Sequence, residues 1–230
     1  PGKNFTFNGQ TFPYPNIKLI YWAGGNPFHH QMNLSKLRKA TFKPDTIITN
    51  EIWWNSLARH ADIVLPTTTT LERNDIGFRH WEQTVSPMHK AIDSVGNSKN
   101  DFDIFSLISE KLGFKKQFTE NKNEEEWLKS LWSEAKESAK ENNFYLPDFD
   151  EFWNGGFFEV LKPTHEQILM EDFVKKPEKF PLSNRSKKIE IFSNEVDSFN
   201  YSDCPGHPQW LEPKEWLGSN ITKKYPLHLI

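Results

Sequence analysis

The chain has 230 residues, a mass of 27.0 kDa, a formal net charge of −3 and a pI near 6.3. This charge balance excludes a protein that binds nucleic acid or anionic membranes through a strong overall positive charge. No apolar run in the sequence approaches the roughly 20 residues that a membrane-spanning helix needs. The single cysteine, Cys204, excludes an internal disulfide and a metal site built from several cysteines.

The first half of the chain predicts an α/β fold with a Rossmann-like parallel sheet. Residues 5–14 predict a short hairpin or loop, and residues 18–112 then alternate strand and helix signals. We predict strands at residues 17–22, 46–49, 62–65 and 84–91, a short helix at residues 34–40, and a turn or short helix at residues 53–60. A helix-sized segment separates the first two strands, so they should pair in parallel, with helices packed on both faces of the sheet.

Two more helices are predicted further along the chain. An N-cap signal at Asn100 and a glycine at position 113 predict a helix over residues 101–112. A longer amphipathic helix, with an apolar stripe on one face, is predicted over residues 119–142. The rest of the chain is irregular and rich in aromatic residues and proline, and its one clear strand signal covers residues 188–192.

The two ends of the sequence suggest a piece of a longer polypeptide. The chain opens without methionine, and it ends inside an apolar segment that reads as an incipient strand. We divide it into a lead-in segment at residues 1–17, an α/β domain at residues 18–143, an irregular extension that packs on this domain at residues 144–224, and the incipient strand at residues 225–230.

Polar side chains follow each of the first three predicted strands. Asn26 and His30 lie in an AGGNPFHH loop, Asn50 and Glu51 end the second strand, and Arg73 follows the third. Ligands of open α/β sheets bind at the carboxyl ends of the strands. The sequence therefore predicts that these amide, imidazole, carboxylate and guanidinium groups serve one ligand.

Simpler interpretations stay open for parts of this pattern. The histidines match no common metal-ligand spacing, so we predict no bound metal and interpret them as loop residues that form hydrogen bonds. These histidines are His29, His30, His60, His80 and His89. The Gly24–Gly25 pair is not a GxGxxG motif, and the sequence has no GK[ST] loop, which disfavours common dinucleotide and ATP sites. Thr67–Thr70 could equally be an ordinary polar loop.

Four segments carry a family resemblance. They read YWAGGNPFHHQ, TNEIWW, ARHADIVLPTTTTLERNDIG and MHKAIDSVGNSKNDFDIF in chain order. In this order they resemble the molybdopterin oxidoreductases of the dimethyl sulfoxide reductase type, and most closely the branch of trimethylamine-N-oxide and biotin sulfoxide reductases. The later segments DCPGHPQWLEPKEWLG and YPLHLI also resemble that branch, so the resemblance covers nearly the whole chain.

The resemblance implies a cofactor and a set of residues that bind it. In this family two molybdopterin guanine dinucleotides hold one molybdenum atom, and this α/β domain corresponds to the part that binds one guanine nucleotide end. The implied cofactor-binding residues are Asn26, His30, Asn50, Glu51, Arg73 and Asp101. A carboxylate suits guanine because it can accept from both the N1–H and the exocyclic amine, and an arginine suits a diphosphate.

Alternatives remain for two of these residues. Asp103 is the alternative guanine contact, and Asp101 could instead be an acid that only stabilises the start of its helix. Arg73 could simply pair with Glu72 or Asp75.

The resemblance also implies an activity for a longer parent protein, the reduction of an S-oxide or N-oxide with electrons from an external donor. The family's molybdenum ligand, a serine in this branch, lies in an N-terminal half, and a C-terminal β-barrel closes the site; residues 225–230 resemble the start of that barrel. We therefore assign no catalytic and no metal-ligating residue here. We expect this piece to depend on the missing N- and C-terminal domains, and to be inactive and without bound cofactor by itself.

Two other interpretations carry no redox role. One is a free-standing module that binds a nucleotide or another protein, and the other is a scaffold whose aromatic surface docks neighbouring domains. The sequence does not fix the oxide substrate, the electron donor, or whether the parent is periplasmic or cytoplasmic.

Overall fold

The computed structural model describes residues 3–78, 84–160, 168–213 and 215–227. The backbone divides into two compact units. The larger unit is Ile17–Glu166, and the smaller one combines Pro1–Asn16 with Gln167–Ile230. The larger unit contains all the candidate site residues.

A parallel sheet of three strands forms one part of the larger unit. Its strands are β3 (Leu19–Ala23), β4 (Thr46–Glu51) and β5 (Ile63–Pro66), in the spatial order β3-β4-β5. Both neighbouring pairs are parallel, with Ala23 opposite Asn50 and Asn50 opposite Leu65. The predicted parallel pairing is confirmed.

A second, antiparallel sheet corrects one sequence-based prediction. Its strands are β6 (Asp75–Phe78), β7 (Thr84–Met88) and β8 (Phe158–Glu159), in the order β6-β7-β8. The predicted strand at residues 84–91 exists in part, but it is not a further strand of the parallel sheet. Only residues 79–83 separate β6 from β7, and a parallel connection needs about a dozen residues, so the two strands pair antiparallel.

Short helices connect these strands, and longer ones follow them. The helices are α1 (Pro27–His30), α2 (Leu34–Thr41), α3 (Asp101–Lys111), α4 (Lys115–Thr119), α5 (Glu124–Glu141), α6 (Phe149–Gly155), α7 (Glu171–Lys175) and α8 (Asn194–Asp197). Short 3₁₀ turns lie at Ala58–His60, Thr70–Glu72 and Asn220–Lys223. The predicted helix signals at residues 34–40 and 101–112 are confirmed.

The predicted helix over residues 119–142 is wrong at its start. Helix α4 ends at Thr119, and the next two residues, Glu120 and Asn121, adopt left-handed φ values of 52° and 59°. Helix α5 then begins after Asn123, whose side chain accepts from the N–H of Glu126 while the Glu126 carboxylate accepts from the N–H of Asn123. This reciprocal capping satisfies two helix-end donors and fixes the new start.

An aromatic core joins α5 and α6 to the antiparallel sheet. Trp132 and Phe152 stack with ring centroids 3.8 Å apart, and Val85 and Leu146 complete the buried cluster. The indole N–H of Trp132 donates to the carbonyl of Pro147 at 3.0 Å, so burial leaves this donor satisfied. Full burial of each such side chain stabilises the fold by about 1.5–3 kcal/mol.

The smaller unit contains a hairpin formed by β1 (Asn4–Phe7) and β2 (Gln10–Pro13), which agrees with the prediction at residues 5–14. Its turn residues, Asn8 and Gly9, have φ values of 47° and 73°. An Asn-Gly pair favours such left-handed angles in a two-residue hairpin turn.

The strand predicted at residues 188–192 is wrong. Residues 188–192 form no strand in the structure, and Ile189 and Ile191 are 64% and 86% exposed. The alternating sequence favours a strand locally, but no neighbouring strand within the described residues pairs with it, so the ladder hydrogen bonds are missing. Residues 225–227 are irregular, and residues 228–230 lie outside the described part of the chain.

Candidate functional site

The carboxyl ends of the three parallel strands form one edge of the sheet. The register aligns Ala23 with Asn50 and Leu65, and Glu51 with Pro66. The loops that begin at residues 24, 52 and 67 therefore leave the sheet at the same edge. This is the edge at which the sequence predicts the ligand.

The first loop holds Asn26 firmly and leaves His30 at the surface. Gly24 and Gly25 have φ values of 98° and 76°, which favour glycine, and they bring the chain to Asn26. The Asn26 side-chain oxygen accepts from the N–H of Phe28 at 3.0 Å and caps α1. Asn26 is only 8% exposed, and its side-chain nitrogen has no hydrogen-bond partner among the described residues. His30 is exposed.

The second strand end carries a relay of three polar side chains. The Tyr21 hydroxyl donates to Asn50 Oδ1 at 2.8 Å, and Asn50 Nδ2 donates to Asp101 Oδ1 at 2.7 Å. The structure thus joins two predicted site residues, Asn50 and Asp101, that are 51 positions apart in sequence. Burial, and then the charge of Asp101, raise the pKa of Tyr21 above its ordinary value.

Glu51 lies beside this relay in sequence and is half-buried. Its Oε1 atom accepts from the N–H of Ile52 at 3.1 Å. Trp53 and Trp54, which follow in the same loop, are 68% and 65% exposed.

The third loop positions Arg73. Its guanidinium donates to the carbonyl of Thr68 at 3.2 Å and pairs with the Asp75 carboxylate at 3.2 Å. Of the two pairings left open by the sequence, the structure therefore has the one with Asp75. Thr68 is 4% exposed, and its hydroxyl has no hydrogen-bond partner within the described parts of the chain.

Glu72 is a structural carboxylate that the sequence reading left unassigned. It is 6% exposed, and its Oε2 atom accepts from the N–H and the hydroxyl of Thr69 at 2.7 and 2.8 Å. Its Oε1 atom accepts from the N–H of Val95 at 2.7 Å. Hydrogen bonds from the backbone of Thr69 and then of Val95 lower the pKa of Glu72 to about 2. The T-x-x-E spacing from Thr69 is a capping-box signal that could have revealed this role.

A polar cavity of about 350 Å³ lies between the third loop and the start of α3. Its lining includes Thr68, Glu72, Arg73, Lys90, Lys99 and Asp103. Three of these side chains are cationic, and Lys90 is paired with Asp93. Arg73 is paired with Asp75, and three carboxylates, Glu72, Asp103 and Glu124, line the same cavity, so its formal charges balance.

The two aspartates at the start of α3 differ in their contacts. Asp101 accepts from Asn50 at the sheet edge, whereas the backbone N–H of Asp103 donates to the Asn100 side chain that caps the helix. Both aspartates are exposed. Contact with the strand end distinguishes Asp101 from Asp103.

No group of three or more histidine, cysteine, aspartate or glutamate side chains in the described ranges is arranged to hold a metal ion. No helix among those residues is long and apolar enough to cross a membrane.

Comparison with known proteins relates this chain to one enzyme family. Residues 4–111 match the family model described as molybdopterin oxidoreductase. The whole chain is 43% identical to a trimethylamine-N-oxide reductase of Haemophilus influenzae, and 40% identical to a dimethyl sulfoxide/trimethylamine N-oxide reductase of Cereibacter sphaeroides. It is 37% identical, again over its whole length, to a biotin sulfoxide reductase of Cereibacter sphaeroides.

The chain spans 28% of the length of the first two relatives and 31% of the third. Among solved structures, acetylene hydratase from Pelobacter acetylenicus matches with a TM-score of 0.63 and 19% identity. That match covers 94% of this chain and 27% of the hydratase chain. At this identity the likeness concerns the fold.

Proposed function

Because this chain belongs to the molybdopterin oxidoreductase family, we propose that it holds the guanine nucleotide end of one molybdopterin guanine dinucleotide in an S-oxide or N-oxide reductase. The observation that carries the proposal is the 2.7 Å hydrogen bond from Asn50 to Asp101. It holds a carboxylate at the carboxyl ends of the parallel strands, where open α/β sheets bind nucleotides.

Asp101 is the proposed guanine contact. Guanine presents two neighbouring donors, the N1–H and the exocyclic amine, and one carboxylate can accept from both. The two oxygens of a carboxylate offer about four acceptor sites, so the bond from Asn50 leaves enough acceptors for the base. Adenine does not present this pair of donors, so Asp101 would select guanine.

The remaining proposed contacts suit the ribose and the diphosphate. Arg73 and Lys99 supply positive charge at the polar cavity. The side-chain nitrogen of Asn26 and the hydroxyl of Thr68 are buried without a partner in the described residues. Leaving such a group unsatisfied costs about 1–3 kcal/mol, and a polar ligand that reaches it would remove this penalty. His30, the last residue of α1, and Glu51, the last residue of β4, complete the proposed set.

In this proposal the cofactor and the residues of this chain have separate roles. When bound, the molybdenum cofactor supplies the two-electron chemistry that removes oxygen from the substrate. The residues of this chain bind and orient its nucleotide end, and we assign none of them to proton transfer or to the metal. The oxide substrate is proposed by analogy with the relatives, which are named as reductases of trimethylamine N-oxide, dimethyl sulfoxide and biotin sulfoxide. By itself the chain should contain no molybdenum and reduce no oxide.

Calorimetric titration of the 230-residue chain with GDP and with ADP tests the proposal. We expect measurable binding of GDP and at least tenfold weaker binding of ADP, because one charge-assisted hydrogen bond contributes about 1.5–3 kcal/mol. Equal affinity for the two nucleotides, or no binding of GDP, would contradict the proposed site. Guanosine monophosphate serves as a control for the contribution of the second phosphate.

A further inference from the structure

We propose that Tyr21 is a positioning residue for guanine recognition, because its hydroxyl fixes the carboxamide of Asn50, and Asn50 in turn orients the Asp101 carboxylate towards the base. This inference rests on the proposed function and adds a residue to it. Tyr21 acts through Asn50 and is not itself a contact of the nucleotide.

The fold places the three residues of the relay on one face of the sheet. Tyr21 is aligned with Ile48 across the parallel pair, and Asn50 lies two positions beyond Ile48 on the same strand. Residues two positions apart in a strand point to the same face, so Tyr21 and Asn50 share a face. Helix α3 packs on this face, because the ring centroids of Tyr21 and Phe105 lie 5.4 Å apart. Asp101, the first residue of α3, is thereby placed within hydrogen-bonding distance of Asn50.

The chemistry of the relay permits one orientation of the Asn50 amide. An ionised carboxylate only accepts hydrogen bonds, so Asn50 must turn its NH₂ group towards Asp101. Its carbonyl oxygen then faces Tyr21, which donates to it at 2.8 Å. In the flipped orientation the carbonyl oxygen would face the carboxylate, and both would lack a donor.

Tyr21 is suited to remain a donor. Burial and the neighbouring Asp101 charge raise its pKa, so the hydroxyl stays protonated at neutral pH and above. Asn50 is 6% exposed, which keeps water from replacing the Tyr21 hydroxyl freely. Removing the hydroxyl would therefore leave a buried carbonyl without its donor and loosen the amide that holds Asp101.

The Tyr21→Phe variant tests the relay by titration of the 230-residue chain with GDP and with inosine diphosphate. Inosine diphosphate lacks the exocyclic amine, so the ratio of the two affinities reports how well the Asp101 carboxylate accepts both donors. The variant keeps the aromatic ring and its contact with Phe105. We expect GDP affinity to fall roughly three- to tenfold, and the preference for GDP over inosine diphosphate to shrink by a similar factor.

The matched control is Tyr145→Phe, which removes a hydroxyl from a tyrosine that is 68% exposed in the same unit. It should leave both affinities unchanged. The ratio also separates positioning from folding, because a partly unfolded variant loses binding sites for both nucleotides equally. An unchanged ratio in Tyr21→Phe would overturn the role of Tyr21 while leaving the guanine site in place. Absence of GDP binding by the unmodified chain would overturn the proposed function, and this inference with it.

Discussion

The two sheets of the larger unit use their buried residues differently. The antiparallel sheet packs Val85 against Trp132 and Phe152, and the one polar atom of the stacked pair, the Trp132 indole N–H, is satisfied by Pro147. The loops that follow two of the parallel strands carry buried polar side chains, and Asn26 and Thr68 each have an atom without a partner in the described residues. The antiparallel sheet therefore contributes mainly to stability, whereas the edge of the parallel sheet has buried polar atoms available to a ligand.

The largest expected effect comes from breaking the stabilising sheet. Replacing Trp132 by alanine should lower the free energy of unfolding by about 3–5 kcal/mol, because it removes a fully packed aromatic side chain and leaves a cavity. Chemical denaturation measures this change. GDP affinity of the folded variant should stay close to that of the unmodified chain. The control is Leu131→Ala on the same helix, a residue that is 50% exposed, with an expected loss of about 1 kcal/mol or less.

A smaller effect is expected at the binding edge. Replacing Arg73 by glutamine should weaken GDP binding about tenfold or more, because a charge-assisted contact to the diphosphate contributes about 1.5–3 kcal/mol. Binding of guanosine, which lacks phosphates, should change little. Arg59, which is exposed, provides the matched control as Arg59→Gln. Equal losses for GDP and guanosine in the Arg73 variant would show that Arg73 supports the loop rather than the phosphates.

The effect of Glu72 should depend on pH. Its folded-state pKa of about 2 is below the ordinary value of 4.5, so the stability it contributes is present above about pH 4.5 and is lost as the pH falls towards 2. Glu72→Gln should therefore lower the melting temperature at pH 6 and flatten its decline between pH 4.5 and 2. Glu125→Gln, which changes an exposed carboxylate paired with Lys129, should alter the profile less. Parallel profiles for the Glu72 variant and the unmodified chain would contradict the role of these hydrogen bonds.

The sequence predicted those features whose signals are local. Apolar runs at the three parallel strands, each followed by polar residues, indicated both the sheet and its binding edge, and Asn50 and Asp101 do meet there. Local patterns do not specify which strands are neighbours, so they did not indicate that β7 pairs antiparallel with β6. Asp101 was assigned to this edge through the family resemblance, whereas neither a local pattern nor the resemblance indicated that Tyr21 contacts Asn50. The structural role of Glu72 was predictable, because its spacing from Thr69 is the local signal of a capping box.

The central claim is that Asp101 binds guanine at this edge, and cofactor occupancy of the full-length protein tests it most directly. Asp101→Asn keeps the size of the side chain but turns an amide donor towards the donors of guanine. The substitution removes a charge-assisted hydrogen bond of about 1.5–3 kcal/mol and leaves a donor unpaired, which costs about 1–3 kcal/mol. We predict markedly reduced cofactor content at near-normal protein yield. Asp103→Asn, the matched control, should retain its cofactor. Full occupancy in the Asp101 variant together with loss in the Asp103 variant would show that the other aspartate binds guanine, and full occupancy in both would remove the start of α3 from the site.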